Sequence, residues 1–122
     1  MDKKNAIVLI NSKTTSNTLN YRNTHWSDIV DYGNDFGWWL NIPFHKFKDG
    51  FFMILNDPNK ENLIFLKIPG NKILNPENKF RNKNNTADIF ISYNDKQGLT
   101  DIQSNSTNFK FADYFVAEIP WI

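Results

Sequence analysis

The sequence predicts a β-rich α+β fold, on three observations. Phe, Trp and Tyr make up 16% of the 122 residues, and aromatic residues are favoured in strands. Short apolar runs are separated by turn dipeptides such as Asp49-Gly50 and Pro69-Gly70, which is typical of antiparallel sheets. Cysteine is absent, so a hydrophobic core has to hold the fold without disulfides. We expect one domain over residues 1–122, with an antiparallel sheet of about six strands arranged as a meander or half-barrel.

The N-terminal part predicts one strand, one loop and one helix. Residues 6–10 form a short apolar run that we interpret as a buried strand. The Ser, Thr and Asn residues within 11–20 predict a loop. Thr24 is a suitable N-cap for a short helix over residues 25–32, which Gly33 would end.

The remainder of the chain predicts strands. Three consecutive strands within residues 38–47, 51–55 and 63–68 would form a meander through short turns. Residues 75–86 are polar and basic, and they predict an exposed loop with Phe80 as its single anchor. Alternating apolar residues then predict two further strands, over residues 87–93 and 109–119.

Charge and composition argue against several functional classes. The net charge is +1, whereas a dedicated nucleic-acid-binding domain is strongly basic. The five glycines are isolated from one another, so neither a P-loop nor a dinucleotide-binding turn is present. The two histidines, His25 and His45, do not have the spacing of a zinc motif. We expect a cytoplasmic protein that is not an enzyme, with no metal, no cofactor, and no membrane, nucleic-acid or small-molecule partner.

The clustered acids Asp28, Asp31 and Asp35 are the first candidate site. On the predicted helix Asp28 and Asp31 are three residues apart and share a face. Such carboxylates could hold a divalent cation, form a solvated helix face, or contact a basic protein surface. A solvated helix face is a simpler interpretation of these acids than a metal site. We keep as a hypothesis that the same acids contribute to a protein-binding patch.

The pair Trp38-Trp39 is the second candidate. Adjacent residues on a strand point to opposite faces, so both indoles are buried only if both sheet faces are covered. If one face is open, one of these tryptophans is a surface anchor, and Trp is enriched among interface hot spots. The two alternatives are equally compatible with the sequence.

Two other functions have some support in the pattern. Aromatic and basic residues alternate in Phe44-His45-Lys46-Phe47 and in Phe109-Lys110-Phe111, as on a sheet that stacks single-stranded nucleic-acid bases. The residues of this alternative are Phe44, Lys46, Phe47, Lys79, Arg81, Lys83 and Lys110. A weaker hypothesis is an enzyme in which Asp28 orients His25 as a general base.

The chain as a whole resembles the small cytoplasmic immunity proteins of bacterial toxin systems, including those of contact-dependent growth inhibition. The resemblance is carried by the short aromatic-rich strands, the absence of cysteine, the Asn- and Lys-rich composition, and the acids of Asp28-Ile-Val-Asp31-Tyr-Gly-Asn-Asp35. It implies a protein that binds a cognate toxin domain and blocks its active site. Immunity proteins against nuclease toxins often carry more negative charge than this chain. The predicted contact patch consists of Trp26, Asp28, Asp31, Tyr32, Asp35 and Trp38.

Overall fold

Two four-stranded sheets pack face to face in the computed structural model, which describes residues 1–14 and 18–122. The elements are helix α1 (Lys3–Lys13), strands β1 (Thr24–Ser27), β2 (Ile29–Tyr32) and β3 (Asp35–Pro43), helix α2 (Lys46–Asp49), and strands β4 (Gly50–Asp57), β5 (Asn62–Pro69), β6 (Arg81–Lys83), β7 (Thr86–Ser92) and β8 (Phe115–Pro120). The first sheet has the order β1-β4-β5-β8 and the second β2-β3-β7-β6. All strand pairs are antiparallel except β1 with β4.

The fold is therefore α+β and strand-rich, as predicted, but its strand number and arrangement differ from the prediction. Eight strands are described where about six were expected, and they form two separate sheets and not a closed barrel. The expected meander is also wrong, because β3 lies in the second sheet while β4 and β5 pair in the first. The short helix α2 takes the place of the turn predicted at Asp49-Gly50, and the chain changes sheets there.

The main core fills the space between the two sheets. Strands β3 and β7 of the second sheet face β4 and β5 of the first, and every second side chain on each points inward. Each fully buried Leu, Ile or Phe contributes roughly 1.5–3 kcal/mol through removal of apolar surface from water. The inward residues of these four strands are Trp38, Leu40, Ile42, Phe51, Met53, Leu55, Ile64, Leu66, Ile68, Ala87, Ile89 and Ile91.

Helix α1 occupies the segment for which a strand was predicted, and that prediction is wrong. Ala6, Ile7 and Ile10 are buried against the side of the first sheet that faces away from the second sheet, while Val8 is 61% exposed. A five-residue apolar run does not distinguish a strand from a helix by its periodicity. The deciding local signal is Asp2, whose side chain accepts a hydrogen bond from the Asn5 N–H (2.8 Å) and caps the helix. The helix continues into the predicted 11–20 loop, of which residues 15–17 lie outside the described chain.

Residues 25–32 form strands, so the helix predicted there is also wrong. Thr24 to Ser27 pair in parallel with β4, and Ile29 to Tyr32 pair with β3. Asp28 is the only residue between the two strands, and at this point the chain passes from the first sheet to the second. Hydrogen bonds to two neighbouring strands outweigh the helical propensity of a segment this short.

Two later segments differ from the prediction in detail. Phe80 anchors the polar 75–86 segment, since it is only 2% exposed, and β6 lies within that segment as a short edge strand. The predicted 109–119 strand begins only at Phe115, after a 3-10 turn over Phe111–Tyr114. None of the helices in the described ranges has the length and apolar character needed to cross a bilayer.

A candidate binding face on the second sheet

The two sheets differ in whether a helix covers the side that faces away from the core. Helix α1 covers the first sheet, whereas no helix within residues 1–14 and 18–122 packs on the outside of the second. On that uncovered side, strand alternation and the Trp39–Phe90 register place Tyr32, Trp39, Asp88 and Phe90 together. We call this surface the outer face, and it consists of Tyr32, Asp35, Trp39, Arg81, Lys83, Asp88, Phe90, Ser92 and Gln103.

A polar network within the outer face is centred on Asp88. The Trp39 indole N–H donates to Asp88 Oδ1, and Gln103 Nε2 donates to Asp88 Oδ2 at 3.2 Å. The Tyr32 hydroxyl donates in turn to Gln103 Oε1. Arg81 completes the network, with its Nε 3.7 Å from Asp88 Oδ2. Asp88 is 2% and Gln103 3% exposed, so both are buried polar groups whose hydrogen bonds are satisfied.

The same residues form an aromatic layer. The Tyr32 ring lies 4.6 Å from the Phe90 ring and 5.7 Å from the Trp39 ring, between centroids. Lys83 Nζ lies 5.3 Å from the centroid of Trp39, within range of a cation–π interaction. Phe90 is fully buried, while Tyr32 and Trp39 are partly exposed. Tyr32 and Trp39 therefore present apolar surface to solvent while their polar atoms are held from below.

Asp101 holds the segment that carries Gln103 against β7. Its Oδ1 accepts hydrogen bonds from the N–H groups of Phe90 (3.1 Å) and Gln103 (3.0 Å). Its Oδ2 is buried and has no hydrogen-bond partner among residues 1–14 and 18–122. Burial raises the pKa of Asp101 to about 6, and the nearby Asp88 carboxylate acts in the same direction.

Neither the chemistry of the side chains nor comparison with known proteins identifies the chain. In the described ranges, no three residues among His, Asp and Glu come together as a metal site. No family model, no curated protein and no solved structure matches the sequence.

The structure separates the six residues of the predicted contact patch. Tyr32 and Asp35 are paired across the β2–β3 hairpin and share the outer face. Trp26 packs instead beside helix α1 in the smaller core cluster. Trp38 is 0% exposed, and its indole N–H donates to the Asn56 carbonyl oxygen at 2.8 Å. Trp38 is therefore a core residue, and Trp39 is the exposed member of the pair.

The three predicted acids do lie at one end of the sandwich. The chain reverses there at the β2–β3 hairpin and the β4–β5 turn. Asp28 Oδ1 accepts hydrogen bonds from the Ile29 N–H (2.8 Å) and from Asn56 Nδ2 (3.1 Å). Asp35 Oδ1 accepts from Phe36 N–H (2.8 Å) and Ser92 Oγ (3.0 Å). Asp31 is exposed on β2. We call this the acidic end.

The opposite end of the sandwich is basic. It holds α2, the turn after β5, and the β6–β7 hairpin, as the strand directions require. Its basic residues include Arg22, Lys46, Lys48, Lys72, Lys79 and Lys83. Asp49 and Glu77 are acidic residues at the same end.

The residues of the two other predicted sites are not brought together. Phe47 is 2% exposed and Phe44 packs against the main core, so this pair does not form a stacking platform. No hydrogen bond joins His25 to Asp28 in the described chain, and the Asp28 carboxylate bonds to Asn56 instead. Sequence reasoning missed the buried members of the outer face, for which the available signal was Asp88, a charged residue inside the apolar run of β7.

Proposed function

We propose that this protein is an immunity-type inhibitor that binds a cognate bacterial toxin domain and covers its active site with the outer face. One observation carries the proposal: Tyr32 and Trp39 are partly exposed, while buried Gln103 and Asp88 fix their polar atoms. Large aromatic side chains held in one geometry are the usual anchors of protein interfaces.

Pre-organisation is the physical advantage of this arrangement. A flexible aromatic side chain loses about 0.5–1.5 kcal/mol of conformational freedom when an interface immobilises it. On the outer face, the Asp88 and Gln103 contacts restrain Trp39 and Tyr32 before any partner arrives. The binding energy of these two anchors is therefore available to hold the partner.

The acidic end supports the same proposal through electrostatics. Asp35 belongs both to the outer face and to this end, and Asp31 lies on the adjacent strand. Charges at the rim of an interface mainly accelerate association with an oppositely charged partner. A toxin domain with a basic active-site surface would be oriented by this end while the aromatic anchors supply contact area.

The proposal is tested by protection of growing cells. The toxin domain to be tested is any variable C-terminal domain of a large secreted protein that is encoded beside this chain. Co-expression of wild-type protein should restore growth, and Trp39→Ala should lose protection, whereas Tyr21→Ala should retain it. Tyr21 is the matched control because it is 59% exposed and lies near the basic end. The absence of such a neighbouring gene, or equal protection by both variants, would contradict the proposal.

Binding of single-stranded nucleic acid is the second candidate for the same face. Lys83 lies over the Trp39 ring, and Arg81 is beside it with 40% side-chain exposure. A base stacked on Trp39 with its phosphate near these cations is the arrangement that such a protein would use. This candidate requires binding to oligonucleotides that weakens steeply with salt, by roughly one unit of log slope for each phosphate contacted. No gel shift at low salt would eliminate it.

A further inference from the structure

A cleft lies beside the outer face, at the edge of β3 that faces β1. Pairing of β2 with β3 ends at Ile29 and Trp38, because the chain bends into the other sheet at Asp28. The later part of β3 therefore has no β2 neighbour and borders β1 and the start of α1. The resulting cleft has a volume of about 290 Å³ and is lined by Lys3, His25, Trp26, Trp39, Leu40 and Asn41.

Positive charge collects around this cleft without a carboxylate partner. Lys3 Nζ donates to the Tyr21 carbonyl oxygen (3.1 Å) and lies 4.5 Å from the centroid of that ring. Lys46 Nζ donates to the Arg22 carbonyl oxygen at 2.8 Å. Neither ammonium belongs to either of the two ion pairs found within the described ranges. Burial, and then repulsion from Lys46, lower the pKa of Lys3, so the two cations destabilise each other.

His25 adds an unsatisfied polar atom at the same place. Its ring contacts Phe51 of β4 edge to face at 5.4 Å. Its Nε2 is buried, and no residue in the described part of the chain is its hydrogen-bond partner. Burial is the first cause that lowers the pKa of His25 to about 4, followed by the charges of Lys3 on α1 and Lys46 on α2. A negative charge in the cleft would offset the repulsion between the two ammonium groups and would favour protonation of His25.

The β3 backbone supplies a further donor. The Trp39 N–H points away from β7 and donates to Ser27 Oγ at 2.9 Å. Hydrogen-bonding directions repeat every second residue along a strand, so the Asn41 N–H points toward the same edge. Asn41 itself is exposed and lines the cleft.

We propose that this cleft binds the phosphate group of a small phosphorylated ligand. The phosphate would lie between the Lys3 ammonium and Asn41, with Lys46 adding longer-range attraction and Trp39 forming one wall. Phosphate is the oxyanion chemistry that a lysine ammonium together with backbone and amide donors recognises. The cleft shares Trp39 with the outer face, but phosphate binding does not depend on toxin inhibition.

The first test follows the two histidine rings by NMR while inorganic phosphate replaces chloride at constant ionic strength. We expect saturable shifts of the His25 resonances and an increase in the His25 pKa of at least about one unit, because the bound anion favours the imidazolium. The exposed ring of His45 is the internal control. Equal shifts of both rings, or the same shifts in chloride alone, would overturn the proposal.

Variants on helix α1 provide the second test. Lys3→Gln should weaken phosphate binding at least about tenfold, since a charge-assisted hydrogen bond is lost. Lys4→Gln is the matched control, because Lys4 is exposed on the same helix and does not line the cleft. If the Lys3→Gln variant is folded by circular dichroism and its affinity for phosphate is unchanged, the proposal is overturned. If Lys3→Gln fails to fold, the wild-type histidine titration still decides.

A comparison of ligands identifies the source of the phosphate. Adenosine monophosphate and ribose 5-phosphate carry the same phosphomonoester, and only the first has a base to stack on Trp39. Tighter binding of adenosine monophosphate, with quenching of indole fluorescence, would assign a nucleotide. Equal affinities would show that the cleft recognises the phosphate group alone. If neither ligand binds, the proposed phosphate site is overturned.

Discussion

The Trp39 indole N–H donates to the carboxylate of Asp88, a residue that is 2% exposed on the next strand of the sheet. The two side chains are 49 positions apart in sequence, and the hydrogen bond fixes a partly exposed aromatic ring to a buried carboxylate. It links the stability of the second sheet to the geometry of the outer face. Substitutions at its two ends should therefore have different effects, one on folding and the other on binding.

Replacement of Asp88 should destabilise the fold. Asp88→Ala leaves the Trp39 N–H and the Gln103 amide without their acceptor, and it removes the ion-pair partner of Arg81. We expect a loss of about 3 kcal/mol in the free energy of unfolding, measured in urea. The exposed Asp113→Ala serves as a control, and a loss below about 0.5 kcal/mol in Asp88→Ala would show that the network contributes little to stability.

Replacement of Trp39 should act mainly on partner binding. Trp39→Ala removes the central aromatic anchor of the outer face, and loss of such an anchor costs about 2 kcal/mol of binding energy or more. Calorimetry with the cognate domain should show affinity reduced by about 30-fold, with Tyr21→Ala unchanged. Wild-type affinity in Trp39→Ala would remove the outer face as the contact surface.

Charge reversal at the acidic end should change the rate of association. Asp31→Lys places a cation on exposed β2, so it should slow association with a basic partner and leave the dissociation rate nearly unchanged. The difference from wild type should shrink as salt increases, since screening shortens electrostatic range. Asp49→Lys, at the basic end of the molecule, is the charge-matched control. If both variants slow association equally in stopped-flow measurements, the change in rate comes from the net charge and not from the acidic end.

Asp101 should make the protein less stable as pH rises through the mildly acidic range. Burial raises the pKa of Asp101 from 3.8 to about 6 in the folded state, so the folded state binds this proton more tightly than the unfolded chain does. Its contribution is therefore fully present below pH 4 and is lost as pH rises through 6. The unfolding free energy of wild type, relative to Asp101→Asn, should fall by about 2 kcal/mol between pH 4 and pH 7. A constant difference over this range would contradict a buried, protonatable Asp101.

His25 should show the opposite dependence. Burial, Lys3 and Lys46 lower its pKa from 6.5 to about 4, so the unfolded chain binds this proton more tightly. The contribution of His25 is present above pH 6.5 and is lost as pH falls through 4. Wild type should lose about 2 kcal/mol relative to His25→Gln between pH 7 and pH 4, and NMR should place the His25 titration near the lower value. A midpoint above pH 6 would show that the ring is not desolvated.

Local patterns predicted the strands whose side chains alternate or whose apolar runs are long. Strands β4, β5 and β7 occur close to their predicted ranges, because their continuous apolar sequences require burial on both faces. The prediction failed where a helix and a strand would show the same local sequence pattern. Residues 6–10 and 25–32 exchanged helix and strand, since short segments of either kind can bury the same side chains.

The sequence by itself determined that the chain is β-rich, that it needs no disulfide, and that one of two adjacent tryptophans could face solvent. Only the tertiary structure decided which tryptophan this is, because Trp38 points to the second sheet's inner side and Trp39 away from it. It also assembled Tyr32, Trp39, Asp88 and Gln103 into one network. These residues come from β2, β3, β7 and a later loop, and hydrogen bonds between positions so far apart arise only from sheet register, which no local pattern specifies.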